Sequence, residues 1–308
     1  VNLVQHAEYK ASRGSSALRT DWFDLGPVAV SVTCELPEVA DEFADLYSDI
    51  RIAVPRSRHV LQMTVRAIGT SRWRRTRYAV LGDGVELFTD LAPAEVLPYL
   101  EWGINHRFIA TCDEFLIFHA AGLARDGHGL MLVGASGSGK STLAAAMAAR
   151  GWQYLGDEFA LLDPGTLRLH PYRKAVCVKS GSFELMRRLG LPLVHRDSYA
   201  KSFKGPLGFV PARALPAPAG PVPVRTVVFP HYGGGWAAGV HDLPPARAAF
   251  LLAESAFNPD SVGAALPTLL GRLATECDCF ALSTGDLDAA VTTLESCWGA
   301  VSAGPATP

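Results

Sequence analysis

Apolar residues recur along the chain with two periods, and the places where one gives way to the other mark its elements. Val28-Ala29-Val30-Ser31-Val32-Thr33-Cys34 alternates as a strand does. Val39, Phe43, Leu46, Tyr47 and Ile50 then fall at helical spacing and predict a helix with one apolar face. Strands are predicted over 59–66 and 73–81, with a hairpin turn at Gly82-Asp83-Gly84 leading into a strand over 85–89. With a polar, Ser/Arg-rich lead-in over 1–20, this reads as a small α+β unit spanning 1–90.

The second unit, 91–308, opens on Asp90-Leu91-Ala92-Pro93, a helix start with proline in the first turn, and the helix is expected to reach about Phe108. Strands at 115–119 and 130–133 flank a turn at Asp126-Gly127-His128-Gly129. Farther on, 214–224 holds four prolines in eleven residues and predicts an extended connector. Strands are expected at 226–229 and 279–282, helices at 245–257 and 287–298, and a disordered tail from 303.

Composition narrows the classes. Of 308 residues, 49% are hydrophobic and 19% charged, enough apolar material for a buried core. Lys+Arg 28 against Asp+Glu 30 leaves a net charge of −2, which excludes nucleic-acid binding by bulk charge. The basic, aromatic run Arg72-Trp73-Arg74-Arg75-Thr76-Arg77-Tyr78 is therefore read as a solvated or partner-binding strand. No uncharged apolar run is long enough to span a membrane. The first residues show no basic stretch followed by an apolar core, so no secretory leader is expected, and the six cysteines are not expected to form a disulfide framework. A cytoplasmic protein is expected, with no membrane partner. Cys277-Asp278-Cys279 has one intervening residue, too few for a zinc pair, and belongs to a strand.

The chemistry is concentrated after Val133. Gly134-Ala135-Ser136-Gly137-Ser138-Gly139-Lys140-Ser141 fits G-x-x-x-x-G-K-[ST] without deviation. Its glycines let successive N–H groups turn inward on phosphate oxygens, Lys140 reaches the β- and γ-phosphates, and the Ser141 hydroxyl suits Mg²⁺. Thr142 completes the expected nucleotide-binding set. The strand at 130–133 precedes the loop and an Ala-rich helix over 141–150 follows it, the context such a motif requires. Gly151 ends that helix, 152–155 reads as a strand, and Gly156-Asp157-Glu158 follows before a hairpin around Asp163-Pro164-Gly165-Thr166. The acidic pair is thus expected where a bound nucleotide keeps its phosphates. Neither an LSGGQ signature nor an N-K-x-D motif is present, which argues against ABC-type ATPases and GTPases.

This stretch resembles the kinase core of bacterial HPr kinase/phosphorylase, where a P-loop helix is likewise followed by a strand, an acidic pair and a hairpin. The whole chain resembles more closely the HPr-kinase-related group called HprK-related kinase A. That likeness rests on Glu101-Trp102-Gly103-Ile104-Asn105, Phe118-His119-Ala120-Ala121, the P-loop and Gly156-Asp157-Glu158. It continues in Pro171, Val178-Lys179, Val227-Val228-Phe229-Pro230 and Glu254-Ser255-Ala256-Phe257-Asn258.

The resemblance implies an α/β fold with an HPr-kinase-like (PEP-carboxykinase-like) P-loop core behind a small N-terminal α+β domain. It implies ATP and Mg²⁺, with Asp157 as the base that takes a proton from an acceptor hydroxyl. Glu158 and Ser141 would hold the metal with Asp157 beside them, and His119 would contact the γ-phosphate or the acceptor. A histidine on such a strand is otherwise a packed core residue. Lys179, at the end of an apolar strand, is the favoured extra cation among Lys179, Arg187, Arg188, Lys201 and Lys204, and 201–208 resembles a loop that closes over substrate.

The acceptor implied is a serine of a peptide or small protein, or a small-molecule hydroxyl, with a PqqD-like peptide-binding protein as a partner. Self-association through the core is implied by the same likeness. Thr142 stands where HPr kinase/phosphorylases carry an acidic residue, and their Glu-Ile-Arg-Gly signature is absent, Arg187-Arg188-Leu189-Gly190 occupying that stretch. Neither phosphorylase activity nor HPr as acceptor is therefore implied. The alternative is a nucleotide-binding regulatory or assembly protein without transfer activity; an open cleft at Asp157 and His119 favours the kinase.

Overall fold

A computed structural model describes residues 20–69, 76–201 and 205–302. The lead-in before Thr20, the basic run at 72–75 and the tail from 303 lie outside the described residues. The first sheet contains β1 (Thr20–Asp24), β2 (Val28–Cys34), β3 (Arg51–Ile52), β4 (His59–Ile68), β5 (Arg77–Gly82) and β6 (Val85–Leu91), in the order β3-β1-β2-β4-β5-β6. Its two longest early strands, β2 and β4, run parallel, and helix α1 (Pro37–Leu46) makes the crossover between them. Val39, Phe43 and Leu46 form its buried stripe. The helix stops there: Tyr47 caps it, fully buried, and Ile50 falls in a separate 3₁₀ turn.

One face of this sheet is covered by α2 (Pro93–Thr111), with Pro93 in its first turn. Its Val96, Leu100, Ile104 and Phe108 share one core with Val30, Met63 and Val80 of the sheet. The same core continues into Ile117, Phe159 and Tyr172. The first sheet thus closes at Leu91, but its packing extends beyond residue 90 through the helix that buries it.

The second sheet takes β7 (Leu116–Arg125), β8 (His128–Val133), β9 (Gln153–Gly156), β10 (Phe159–Asp163), β11 (Arg168–His170), β15 (Val222–Tyr232), β16 (Gly239–Asp242) and β17 (Asp278–Thr284). Its order is β11-β10-β7-β8-β15-β17-β16, with β9 also on β7. Strands β12 (Val176–Lys179), β13 (Val194–Lys201) and β14 (Gly205–Val210) form a separate antiparallel ribbon. The helices are α3 (Lys140–Ala149), α4 (Phe183–Arg188), α5 (Pro245–Ser255), α6 (Leu266–Glu276) and α7 (Leu287–Ser302). The result is a mixed α/β fold. Among the described residues no helix is long and apolar enough to cross a membrane.

Three differences from expectation have plain causes. Strand β7 runs on from 119 to Arg125, because Ala120 to Ala124 are buried on both faces and show no alternation. Strand β15 likewise extends at both ends of 226–229 and keeps Pro230, paired opposite Leu282. The stretch 205–208, expected as part of a closing loop, is the start of β14, paired with β12 through Lys179 opposite Leu207. Burial of Leu207, Phe209 and Val210 overrides its polar lead-in.

Strands β8, β15 and β17 are mutually parallel. Their carboxyl ends, at Val133, Tyr232 and Thr284, gather at one edge of the sheet, the edge where open α/β sheets bind ligands.

Candidate active site

The loop from Gly134 to Gly139 links β8 to α3 at this edge. Gly139 precedes the helix at φ +94°, a conformation that a side chain resists, so the glycine here sets the turn that aims the first helical N–H groups outward. Those groups have no partners inside the helix and, with the helix dipole, suit an anion. The Lys140 ammonium, 6% exposed, donates to the carbonyl oxygens of Gly134 (2.6 Å) and Ala135 (2.9 Å). Burial lowers its pKa; Asp157 and Glu158 oppose this and Lys179 adds to it.

Asp157 and Glu158 lie between β9 and β10, two strands that both pair with β7: Gly156 faces Gly122, and Phe159 faces His119. The chain kinks between them. A Cβ at Gly156 would come within 2.8 Å of the Tyr172 carbonyl oxygen, so this position accepts only glycine without movement. Glu158 holds φ +69°, a strained conformation for a bulky residue that costs about 1–3 kcal/mol and is typical of functional sites.

Asp157 is 3% exposed, and no protein donor meets either carboxylate oxygen in full hydrogen-bond geometry, the nearby Ser141 hydroxyl and Glu158 N–H included. Burial first, then the neighbouring Glu158, raises its pKa from 3.8 to about 6. The Ser141 hydroxyl, the Glu158 backbone N–H and the Lys140 charge favour the ionised form without offsetting that rise. Glu158 accepts a hydrogen bond from the Asn105 side-chain amide.

One cleft of about 730 Å³ brings these groups together: Ser136 to Thr142 of the loop, Asp157, Glu158, His119 and Lys179 all line it. Gly134 and Ala135 do not; their carbonyls hold Lys140. Thr142 lines the cleft with its hydroxyl 3.0 Å from that of Ser182. Lys179 stands exposed at the end of β12. Arg187 is paired with Glu184 at 3.0 Å, and neither it nor Arg188 is among the described residues that line the cleft. The Lys201 and Lys204 side chains lie outside the described residues.

His119 packs against Phe257, ring centres 5.4 Å apart, and both face the cleft. Asn258 fixes that neighbour: its carbonyl accepts from the Ile117 N–H (2.8 Å), and its amide donates to the carbonyls of Cys112 (3.2 Å) and Phe115 (3.0 Å). An Asn258→Ala variant is expected to lose about 2–3 kcal/mol of stability, read from urea denaturation. Sequence patterns marked Phe257 and Asn258 without a role for either.

Nothing in the sequence marks Lys174. It is 4% exposed, bound to Glu101 and Asn105 of α2, yet nothing in the polar run around it sets it apart from a surface lysine.

Among the described residues no three His, Cys, Asp or Glu side chains are grouped to hold a metal unaided. Mg²⁺ bound beside phosphates needs only one or two carboxylates and a hydroxyl, so Ser141 and Glu158 fit that demand, with the buried, unpartnered oxygens of Asp157 beside them. Burial pushes the Cys277 thiol up to about 12 and the Cys279 thiol up to about 11, so neither offers the thiolate a metal prefers. The chain matches no model of a known protein family, and a comparison with curated proteins finds no match.

Proposed function

We propose that this chain is an ATP- and Mg²⁺-dependent phosphotransferase with an HPr-kinase-like (PEP-carboxykinase-like) P-loop core, transferring the γ-phosphoryl group of ATP to a hydroxyl. One observation carries the reading: beside a G-x-x-x-x-G-K-S loop, a buried carboxylate with two unpartnered oxygens is held at a pKa of about 6. That value suits a general base near neutral pH, ionised yet still willing to take a proton.

Loop N–H groups from Gly137 to Ser141 cradle the phosphates in this reading, and Lys140 leaves its two carbonyls to reach the β- and γ-phosphates. Ser141 and Glu158 would hold Mg²⁺, which neutralises phosphate charge when bound. Asp157 takes the proton of the acceptor hydroxyl. The acceptor oxygen forms its bond to the γ-phosphorus as the bond from that phosphorus to the bridging oxygen breaks, leaving ADP. Lys179, at the mouth, meets charge on the transferring group. His119, held by Phe257, orients the acceptor or the γ-phosphate.

Asp157 and His119 both line the one cleft of about 730 Å³, which supports transfer over a switch that only binds ATP. The acceptor class is a serine of a peptide or small protein, delivered by a PqqD-like partner, or a small-molecule hydroxyl.

The test is transfer of γ-labelled ATP to a panel of serine peptides and small hydroxyl compounds. Label is expected on an acceptor with the wild-type protein. His119→Ala is expected to lower transfer about 10–100-fold, with nucleotide affinity by calorimetry unchanged. Equal transfer in that variant would remove His119 from the mechanism; wild-type protein that binds ATP but labels nothing would favour the switch.

A further inference from the structure

We infer that Asn105 is a positioning residue for Glu158, and that it ties this carboxylate to the N-terminal unit through Lys174, Glu101 and Tyr47. The inference rests on the proposed role of Glu158 at the metal. Glu158 sits in a left-handed backbone conformation, so its side chain leaves the chain in a direction that needs support, and the Asn105 amide supplies it by donating to one carboxylate oxygen.

The orientation of that amide is forced. Asn105 Oδ1 accepts from Lys174 Nζ (2.9 Å) and from the Tyr172 hydroxyl (3.2 Å), and two donors on one atom leave only the NH₂ to face Glu158. Lys174 in turn spends all three of its protons: on Asn105 Oδ1, on the Glu101 backbone carbonyl (2.7 Å) and on Glu101 Oε2 (2.8 Å). Glu101 Oε2 also accepts from the Tyr47 hydroxyl (3.0 Å), and that hydroxyl accepts from the Ala175 N–H (3.1 Å). Tyr47 belongs to the first unit, at the end of α1.

Glu101 and Asn105 are one turn apart on α2, on a single face. A cavity of about 20 Å³ shares walls with Glu101, Lys174, Asp157 and Glu158, so this chain of contacts abuts both acids. Every link but the partly buried Asn105–Glu158 bond is buried, and Glu101 Oε1 alone among its side-chain atoms lacks a partner, so the network still specifies one arrangement. Hydrogen bonds behind a metal-binding carboxylate commonly contribute about 10–100-fold in metal affinity. The N-terminal unit therefore serves as the fixed support of the metal side of the site.

The readout is Mn²⁺ affinity, taken from the electron paramagnetic resonance signal of free Mn²⁺ with a non-hydrolysable ATP analogue present. Asn105→Ala is expected to weaken Mn²⁺ binding about 10–100-fold, with affinity for the metal-free analogue unchanged. Tyr47→Phe, a milder change remote from the cleft, is expected to weaken it about 3–10-fold and keeps the test open if Asn105→Ala does not fold. Glu158→Gln separates the two ideas. If Glu158→Gln weakens Mn²⁺ binding while Asn105→Ala, or Tyr47→Phe where Asn105→Ala does not fold, leaves it at the wild-type value, the positioning role is overturned. If Glu158→Gln leaves it unchanged, the metal role of Glu158 falls and this inference falls with it.

Discussion

Asp157→Asn is expected to lower phosphoryl transfer about 100–10,000-fold and, at the same time, to flatten the acid side of the stability profile. The folded protein holds the Asp157 carboxyl at about 6 against an ordinary 3.8, so folding favours its protonated form. Its contribution to stability is greatest below pH 3.8 and is lost as pH rises through about 6. The loss amounts to about 3 kcal/mol once the carboxylate is ionised, undiminished by solvent because the side chain is buried. An asparagine does not titrate. Melting curves of the nucleotide-free proteins from pH 4 to pH 8 should show the variant gaining on the wild type by several degrees as pH rises. A constant difference across that range would mean that Asp157 does not carry the raised pKa on which its role as base depends.

Lys140→Ala is expected to weaken binding of a Mg²⁺–ATP analogue about 100–1,000-fold, the loss of two charge-assisted contacts to phosphate oxygens. The ammonium now rests on the Gly134 and Ala135 carbonyls, partners it would exchange for phosphates under the proposed function. Lys140→Arg should fare almost as badly, because a planar guanidinium does not fit the point-charge cradle made by two adjacent carbonyls. Calorimetric titration of the folded variants decides the matter, and wild-type affinity in Lys140→Ala would overturn the phosphate-site reading.

The parts of the site that were legible in the sequence are those encoded in consecutive residues. Gly134 to Ser141 carry their geometry in their own backbone, and Asp157-Glu158 stand directly after a short apolar strand; the structure places Ser136 to Ser141 and the acidic pair around one cleft. The strand itself is displaced by one residue, Gln153–Gly156, because Trp152 turns away to pack against Trp298, ring centres 4.8 Å apart.

What stayed hidden depends on residues far apart in the chain. Asn105 and Lys174 are separated by 69 positions, and neither differs in type from an ordinary surface residue. Helix α6 has a buried stripe of Leu269, Leu270, Leu273 and Ala274, but Gly271 in its middle lowers its local propensity. Strand β14 is a strand because its neighbours bury it, not because its sequence alternates.

The most direct test of the account is phosphorus NMR of the wild-type protein with Mg²⁺, ATP and hydroxyl acceptors. The account predicts a phosphomonoester resonance that grows in step with ADP and is lost in Asp157→Asn. Release of inorganic phosphate alone, or intact ATP in the presence of protein shown to bind it, across peptide, protein and small-molecule acceptors, would contradict it.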